Sequence, residues 1–199
     1  MHVYLETERL ILRRFTEADV DNLFDLDSDP EVMRYLNGGT PTPREVVETE
    51  ILPAFLGYYE RGDGYGFWAA VEKSSDDFLG WFHLRPSKGA RPDEPELGYR
   101  LRKATWGRGL GTEGARELIR KAFAELGASR VVASTYQDNL GSRRVMEKSG
   151  MTLARTYRST PEQAAAQDTY TADSNDYWDG EEVEYAIERA EWERQGAGR

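Results

Sequence analysis

The chain has 199 residues, 39% hydrophobic and 12% aromatic, which suits one packed domain and argues against disorder. With 26 basic and 36 acidic side chains the formal charge is −10, which disfavours nucleic acid and anionic membranes as partners and favours cationic ones, or simply serves solubility. The sequence has no cysteine and only two histidines, His2 and His83, which excludes disulfides, thiolate metal centres and a cysteine acyl-enzyme, makes a multi-histidine metal site implausible, and leaves no metal to expect.

Residues 1–6 lack a basic-then-apolar leader pattern. The longest fully apolar run, 67–71, is far short of the ~20 residues that cross a bilayer, so a cytoplasmic protein is expected. Residues 9–15 read as a first strand, and Thr16 with acids after it starts a helix. A short helix follows Asp29-Pro30. A third starts at Thr42-Pro43-Arg44-Glu45, and Pro53 should kink or divide it. Strands near 65–72 and 78–85 flank the turn composition Ser74-Ser75-Asp76-Asp77. Segment 96–101 alternates, with Leu97, Tyr99 and Leu101 on one side and Glu96, Gly98 and Arg100 on the other.

Next comes Trp106-Gly107-Arg108-Gly109-Leu110-Gly111-Thr112-Glu113. Apolar residues from Ala115 to Leu126 recur with helical spacing and end at Gly127, so this glycine loop opens an amphipathic helix. The first N–H groups of a helix have no intrahelical partner, and the macrodipole favours anions there; glycines let a phosphate approach closely. A tight turn without a ligand is the plain alternative. Gly109 to Gly114 also spells the dinucleotide fingerprint G-x-G-x-x-G. However, Lys103-Ala104-Thr105-Trp106 separate it from the strand, and Asp138, after the next strand, reads as a helix start. No Gly-Lys-Ser/Thr occurs, so a Walker loop is excluded. Strand 130–136 completes a parallel β-α-β unit. A helix over 139–149 and strands near 151–157 and 183–188 follow. Segment 158–179 is polar and irregular, a long loop or flap, and 195–199 should fray.

Four blocks in order resemble the GCN5-related N-acetyltransferase (GNAT) superfamily. Trp106-Gly107-Arg108-Gly109-Leu110-Gly111 is similar to its core pattern, with Trp in the first position as in the RimJ/RimL-type branch. Asn139-Leu140-Gly141-Ser142 through Glu147-Lys148-Ser149-Gly150-Met151 resembles the same branch, as do Glu6 to Arg13 and Val183-Glu184-Tyr185-Ala186-Ile187. The resemblance spans nearly the whole chain. It implies a single α/β (α+β) domain over 1–199, with a mixed sheet of about six to seven strands, a splayed parallel pair and about four to five helices.

It further implies acetyl-CoA as donor and a small-molecule amine or a peptide N-terminus as acceptor, and it leaves room for a homodimer. The pantetheine arm would enter between segments 96–101 and 130–136, near Leu101 to Lys103. The pyrophosphate would meet the loop formed by Trp106, Gly107, Arg108, Gly109, Gly111 and Thr112, with Asn139 beside the arm and Arg143 and Lys148 toward the nucleotide. Transfer to an amine requires a neutral nucleophile, a stabilised carbonyl oxygen and a proton for the leaving thiolate. In this branch the residue matching the acid is Ser142, which alternatively braces its helix. Glu96 is the candidate base, or pairs with an arginine such as Arg100; Glu162 is an outside candidate. His83 reads as structural. Tyr35, Tyr58 and Tyr59 are candidates to line the acceptor site, or pack between helices. Direct attack in a ternary complex is the economical mechanism. A non-catalytic acyl-CoA-binding sensor on the same scaffold is the alternative.

Overall fold

Eight strands form one mixed sheet in the computed structural model, which describes residues 2–62, 64–87, 90–159 and 180–197. They are β1 (Val3–Glu6), β2 (Leu10–Arg13), β3 (Gly66–Glu72), β4 (Phe78–Pro86), β5 (Pro95–Leu101), β6 (Arg130–Tyr136), β7 (Thr152–Tyr157) and β8 (Glu182–Glu188). Their order is β1-β2-β3-β4-β5-β6-β8-β7. Every neighbouring pair is antiparallel except β5–β6, which is parallel. Among the described residues the α-helices are α1 (Val20–Asp27), α2 (Pro30–Asn37), α3 (44–57), α4 (Leu110–Ala124), α5 (Leu140–Lys148) and α6 (Arg189–Ala197).

The apolar run in β3 lacks alternation because this strand lies mid-sheet, buried on both faces from Gly66 to Val71. On one face Trp68, Phe82, Leu84 and Leu97 pack against Leu118, Ile119 and Phe123 of α4. On the other, Phe67, Ala69, Phe78 and Trp81 pack against Leu23, Leu26, Val47, Ile51 and Phe55 of α1 and α3. The sheet is thus covered on both sides, and its polar strand ends become the places where chemistry can reach the backbone.

Local signals read from the sequence appear as specific bonds. The Asp29 side chain caps α2 by accepting from the Glu31 N–H at 2.9 Å. Asp19 accepts from the Thr16 N–H at 2.9 Å and takes both ends of the Arg13 guanidinium at 2.8 and 2.7 Å. Before Pro53, α3 opens into a π turn over Val47–Ile51, with the Leu52 N–H bonded to the Val47 carbonyl. The extra residue in that turn accommodates a proline that has no N–H to donate.

The described residues also hold elements that the periodicity did not indicate. β1 is a four-residue edge strand, and Tyr4 stacks on Trp68 at 3.8 Å. α6 follows β8 directly, although its sequence is charged through much of its length. Trp192 packs on Phe123 and Gln195 donates to the Gly150 carbonyl at 3.2 Å, so helix covers part of the tail expected to fray. The proposed flap at 158–179 lies almost entirely outside the described residues, as does Glu162. No helix among the described residues is long and apolar enough to cross a membrane.

Candidate active site

β4 and β5 are in register from Gly80↔Leu101 to Pro86↔Pro95. β5 and β6, in contrast, share a single pair, Glu96↔Val132. No further ladder pair joins the two strands beyond it, which is the parting that the family resemblance implies for this pair. The N-terminus of α4 stands at the end of β5, and that of α5 stands past the end of β6.

The glycine loop bridges β5 and α4. Gly107 and Gly109 have φ of +76° and +80°, a left-handed backbone that a side chain would strain. The first bond of the helical ladder runs from the Glu113 N–H to the Gly109 carbonyl at 3.0 Å. The N–H groups of Leu110, Gly111 and Thr112 therefore precede the ladder, the polarity an anion needs. Trp106, Gly107, Arg108 and Gly109 are exposed, and Thr112 is half-buried. Gly111 is buried, and a Cβ there would lie 3.3 Å from Val145 Cγ2 and 3.5 Å from Leu101 Cδ1. It sets the spacing of β5, α4 and α5 as much as it opens the loop.

The same loop is tied down by residues from distant blocks. The Trp106 indole N–H donates to the Leu101 carbonyl at 2.8 Å, fixing the loop's first residue to the strand end. Glu113 accepts from the Thr7 hydroxyl, from the Arg9 backbone N–H at 2.8 Å and from the Arg9 guanidinium at 2.7 Å. Arg9 in turn donates to the Arg108 carbonyl at 2.9 Å. Burial alone would raise the Glu113 carboxyl, but the Thr7 and Arg9 bonds outweigh it and hold it below the usual carboxylate range. The Arg108 guanidinium pairs with Glu72 at the end of β3, and both border a cavity of about 630 Å³ beneath the β3–β4 turn. Lys103 is exposed, 3.9 Å from Glu31.

At α5, the side-chain Oδ1 of Asn139 accepts from the Ser142 N–H at 3.2 Å, and its Nδ2 donates to Thr135 Oγ1 at 3.1 Å. Asn139 therefore caps α5. The Ser142 hydroxyl lies 3.0 Å from the hydroxyl of Tyr99, which also donates to the Ser142 carbonyl at 3.0 Å. Tyr99 thus reaches from β5 to α5 across the splayed pair. Burial raises its phenol pKa well above the ordinary tyrosine value, against a smaller opposing effect of the Ser142 bond. Lys148 is exposed at the far end of α5, and its carbonyl takes two bonds from Arg116 at 3.0 and 2.6 Å. Arg143 braces the fold, bonding Tyr185 Oη at 3.1 Å and the Gln137 carbonyl at 3.0 Å.

Glu96 lies on the other face of β5. Its carboxylate accepts from the Ser87 hydroxyl at 2.7 Å, with Arg85 opposite it in register. Arg100 is paired instead with Asp27 of α1 at 2.6 Å, both being buried. His83 is buried with Nε2 packed over Gly98, where a Cβ would come within 2.0 Å. Burial first, then the charges of Arg85 and Arg100, press its pKa well below the usual histidine range, so it is neutral and packed, as the sequence reading held. Tyr59 accepts from the Phe15 N–H at 2.8 Å and donates to the Phe67 carbonyl at 2.6 Å, so it pins the turn after α3 to the sheet. Tyr58 packs edge-on against Phe67, while the Tyr35 hydroxyl bonds the Asp138 carbonyl at 3.1 Å, near the mouth of the splayed pair. The Tyr99–Ser142 contact, the Glu113 clamp and the Arg108–Glu72 pair were not read from the sequence. The only signal for the first was that Tyr99 alternates onto the same side of β5 as Leu101.

Comparison with known proteins agrees with this geometry. Residues 9–152 match the family model described as an acetyltransferase (GNAT) domain. Over 197 residues the chain is 32% identical to the FsC-acetyl coenzyme A-N(2)-transacetylase of Aspergillus fumigatus, covering 96% of this chain and 78% of that protein. Among solved structures it is similar to RimL, a ribosomal L7/L12 alpha-N-protein acetyltransferase in complex with coenzyme A, at TM-score 0.70 and 18% identity, covering 94% of this chain and 98% of that one. It is also similar to the aminoglycoside acetyltransferase AAC(6')-Ib in complex with coenzyme A, at TM-score 0.71 and 19% identity, covering 94% and 99%. At such identities the two structures speak for the fold.

Proposed function

The chain belongs to the GNAT acetyltransferase family and is an acyltransferase, and from that premise we propose that it moves the acetyl group of acetyl-CoA to a primary amine by direct attack in a ternary complex. The observation that carries this reading is the parallel pair that parts beyond Glu96↔Val132, with the open N-terminus of α4 at one side of its mouth and Ser142 at the other. The opening offers β5 backbone to a pantetheine arm. The N–H groups of Leu110, Gly111 and Thr112 suit a pyrophosphate, with Gly107 and Gly109 clearing its approach and Trp106 holding the loop to Leu101. From the family pattern we assign Lys103, Arg108, Asn139 and Lys148 to the same cofactor, with Lys148 reaching its nucleotide end from the far end of α5.

Acetyl-CoA, when bound, supplies an activated thioester carbonyl. Ser142, on α5 beside Tyr99, then serves the donor side, and Glu96, on the other face of β5 from Tyr99, the acceptor side. Glu96 holds the incoming ammonium and takes its proton through water. Ser142 gives a proton to the departing sulfur. The role divides as the chemistry requires, because the amine must be neutral when it attacks and the sulfur must not leave as a bare thiolate.

We assign the chain to the RimJ/RimL-type branch on its Trp106 and Asn139–Ser142 blocks, and we place it in the cytoplasm as one catalytic domain. The acceptor is a small-molecule amine or a peptide N-terminus; the N(2) in the name of the A. fumigatus relative makes small-molecule amines the first to test. A thiol-release assay over a panel of amines, run beside calorimetry with acetyl-CoA, checks the reading. Binding together with turnover on at least one amine is expected. Acetyl-CoA binding with no turnover on any amine or peptide N-terminus would instead indicate the acyl-CoA-binding sensor.

A further inference from the structure

The geometry points to Tyr99 as the positioning residue that decides where the Ser142 proton goes. This rests on the reading of Ser142 as the acid. The Tyr99 hydroxyl lies 3.0 Å from both the carbonyl and the Oγ of Ser142. A phenol has one proton, so it cannot donate to both oxygens at once. Two arrangements satisfy the contacts. In one, Tyr99 donates to the Ser142 carbonyl and Ser142 donates to the Tyr99 oxygen, which turns the serine proton away from the opening. In the other, Tyr99 donates to Ser142 Oγ, and the serine proton is free to point into the opening.

Only the second arrangement is competent for acid catalysis, and passing between them needs no more than rotation of two hydroxyl groups. In it Tyr99 also supports the serine oxygen as that oxygen loses its proton. Ser142 gives its proton to sulfur as the C–S bond breaks and the C–N bond to the amine forms. The serine oxygen recovers a proton, through water, from the one the amine releases, so Ser142 and Tyr99 begin and end neutral. Burial keeps Tyr99 protonated throughout and therefore always able to donate. The ring is fixed by packing against Phe82 at 5.9 Å, and Asn139 fixes the Ser142 backbone, so both partners are held in place before substrates arrive.

A double-mutant cycle tests this. Tyr99→Phe keeps the ring and its packing. It should lower kcat by about tenfold, the effect of one lost hydrogen bond to a reacting group, and change the acetyl-CoA Kd little. Ser142→Ala should lower kcat by roughly 10²–10⁴. In the Ser142→Ala background, Tyr99→Phe should cost nothing further. In the free protein labelled with 13Cζ-tyrosine, the Tyr99 resonance, identified by its loss in Tyr99→Phe, should move in Ser142→Ala. If Ser142→Ala turns over normally, the acid reading fails and this inference falls with it. If Ser142→Ala is impaired but the two effects multiply, or the Tyr99 resonance does not move, the acid reading stands and the role of Tyr99 is overturned.

Discussion

Arg108 shows how a single residue is placed between two demands. The sequence presents it as a cation inside a phosphate-binding loop, and the fold pairs it with Glu72, 36 positions away. If the loop takes the pyrophosphate, Glu72 competes for the same guanidinium and repels the same ligand. Glu72→Gln should therefore tighten acetyl-CoA binding by a few-fold, about 1 kcal/mol or less for an exposed pair, while Arg108→Ala weakens it. Calorimetry at fixed salt reads both; a Glu72→Gln protein that bound more weakly would show that the pair orders the loop. Asn139 and Ser142 were legible because local motifs carry them. Tyr99 was legible only as a strand residue, since its partner lies 43 positions on and depends on the strands parting. Side-chain pairs across that distance leave no periodic trace.

At the scale of elements, the glycines of one motif divide by what surrounds them. A Cβ on Gly114 would sit 2.5 Å from the Phe82 ring, in the packed layer between α4 and β4. A Cβ on Gly109 would meet nothing nearer than Arg9 at 3.6 Å, but the residue holds φ at +80° on the exposed loop. Gly114→Ala should thus cost about 1–3 kcal/mol of stability by overpacking and leave acetyl-CoA affinity of the folded protein intact. Gly109→Ala should cost about 1–2 kcal/mol in backbone strain and also weaken binding, because the loop must change shape to relieve it. Thermal melts paired with calorimetry separate the two; equal loss of affinity in both would dissolve the distinction. The long periodic helix α4 and strand β5 were readable because burial imposes a repeat on the sequence, and β3 because its run is apolar throughout. β1 is too short to show a repeat, and α6 rests on contacts such as Trp192 on Phe123 rather than on an apolar stripe.

The whole molecule adds two dependences on solution conditions. His83 is kept neutral by burial and by Arg85 and Arg100, with its folded pKa well below that of the unfolded chain. As pH falls below ~6.5 the unfolded state takes a proton that the folded state refuses, so stability is lost toward acid. Urea midpoints should drop between pH 7 and 5.5, and His83→Asn should flatten that drop; an unchanged slope would move the acid sensitivity to other groups. The second dependence concerns encounter. A net charge of −10 attracts a cationic amine, and under the proposed mechanism Glu96 gives that attraction a local end point. Attraction between charges farther apart than the ~10 Å Debye length at 0.1 M is screened, so kcat/KM should fall as ionic strength rises. The same amine must lose its proton before it attacks, so kcat/KM should rise from about pH 6 to 8, and Glu96→Gln should flatten the rise while raising KM for the acceptor. A best acceptor that was neutral or anionic, with rates indifferent to salt, would remove long-range charge from the account of how this enzyme finds its substrate.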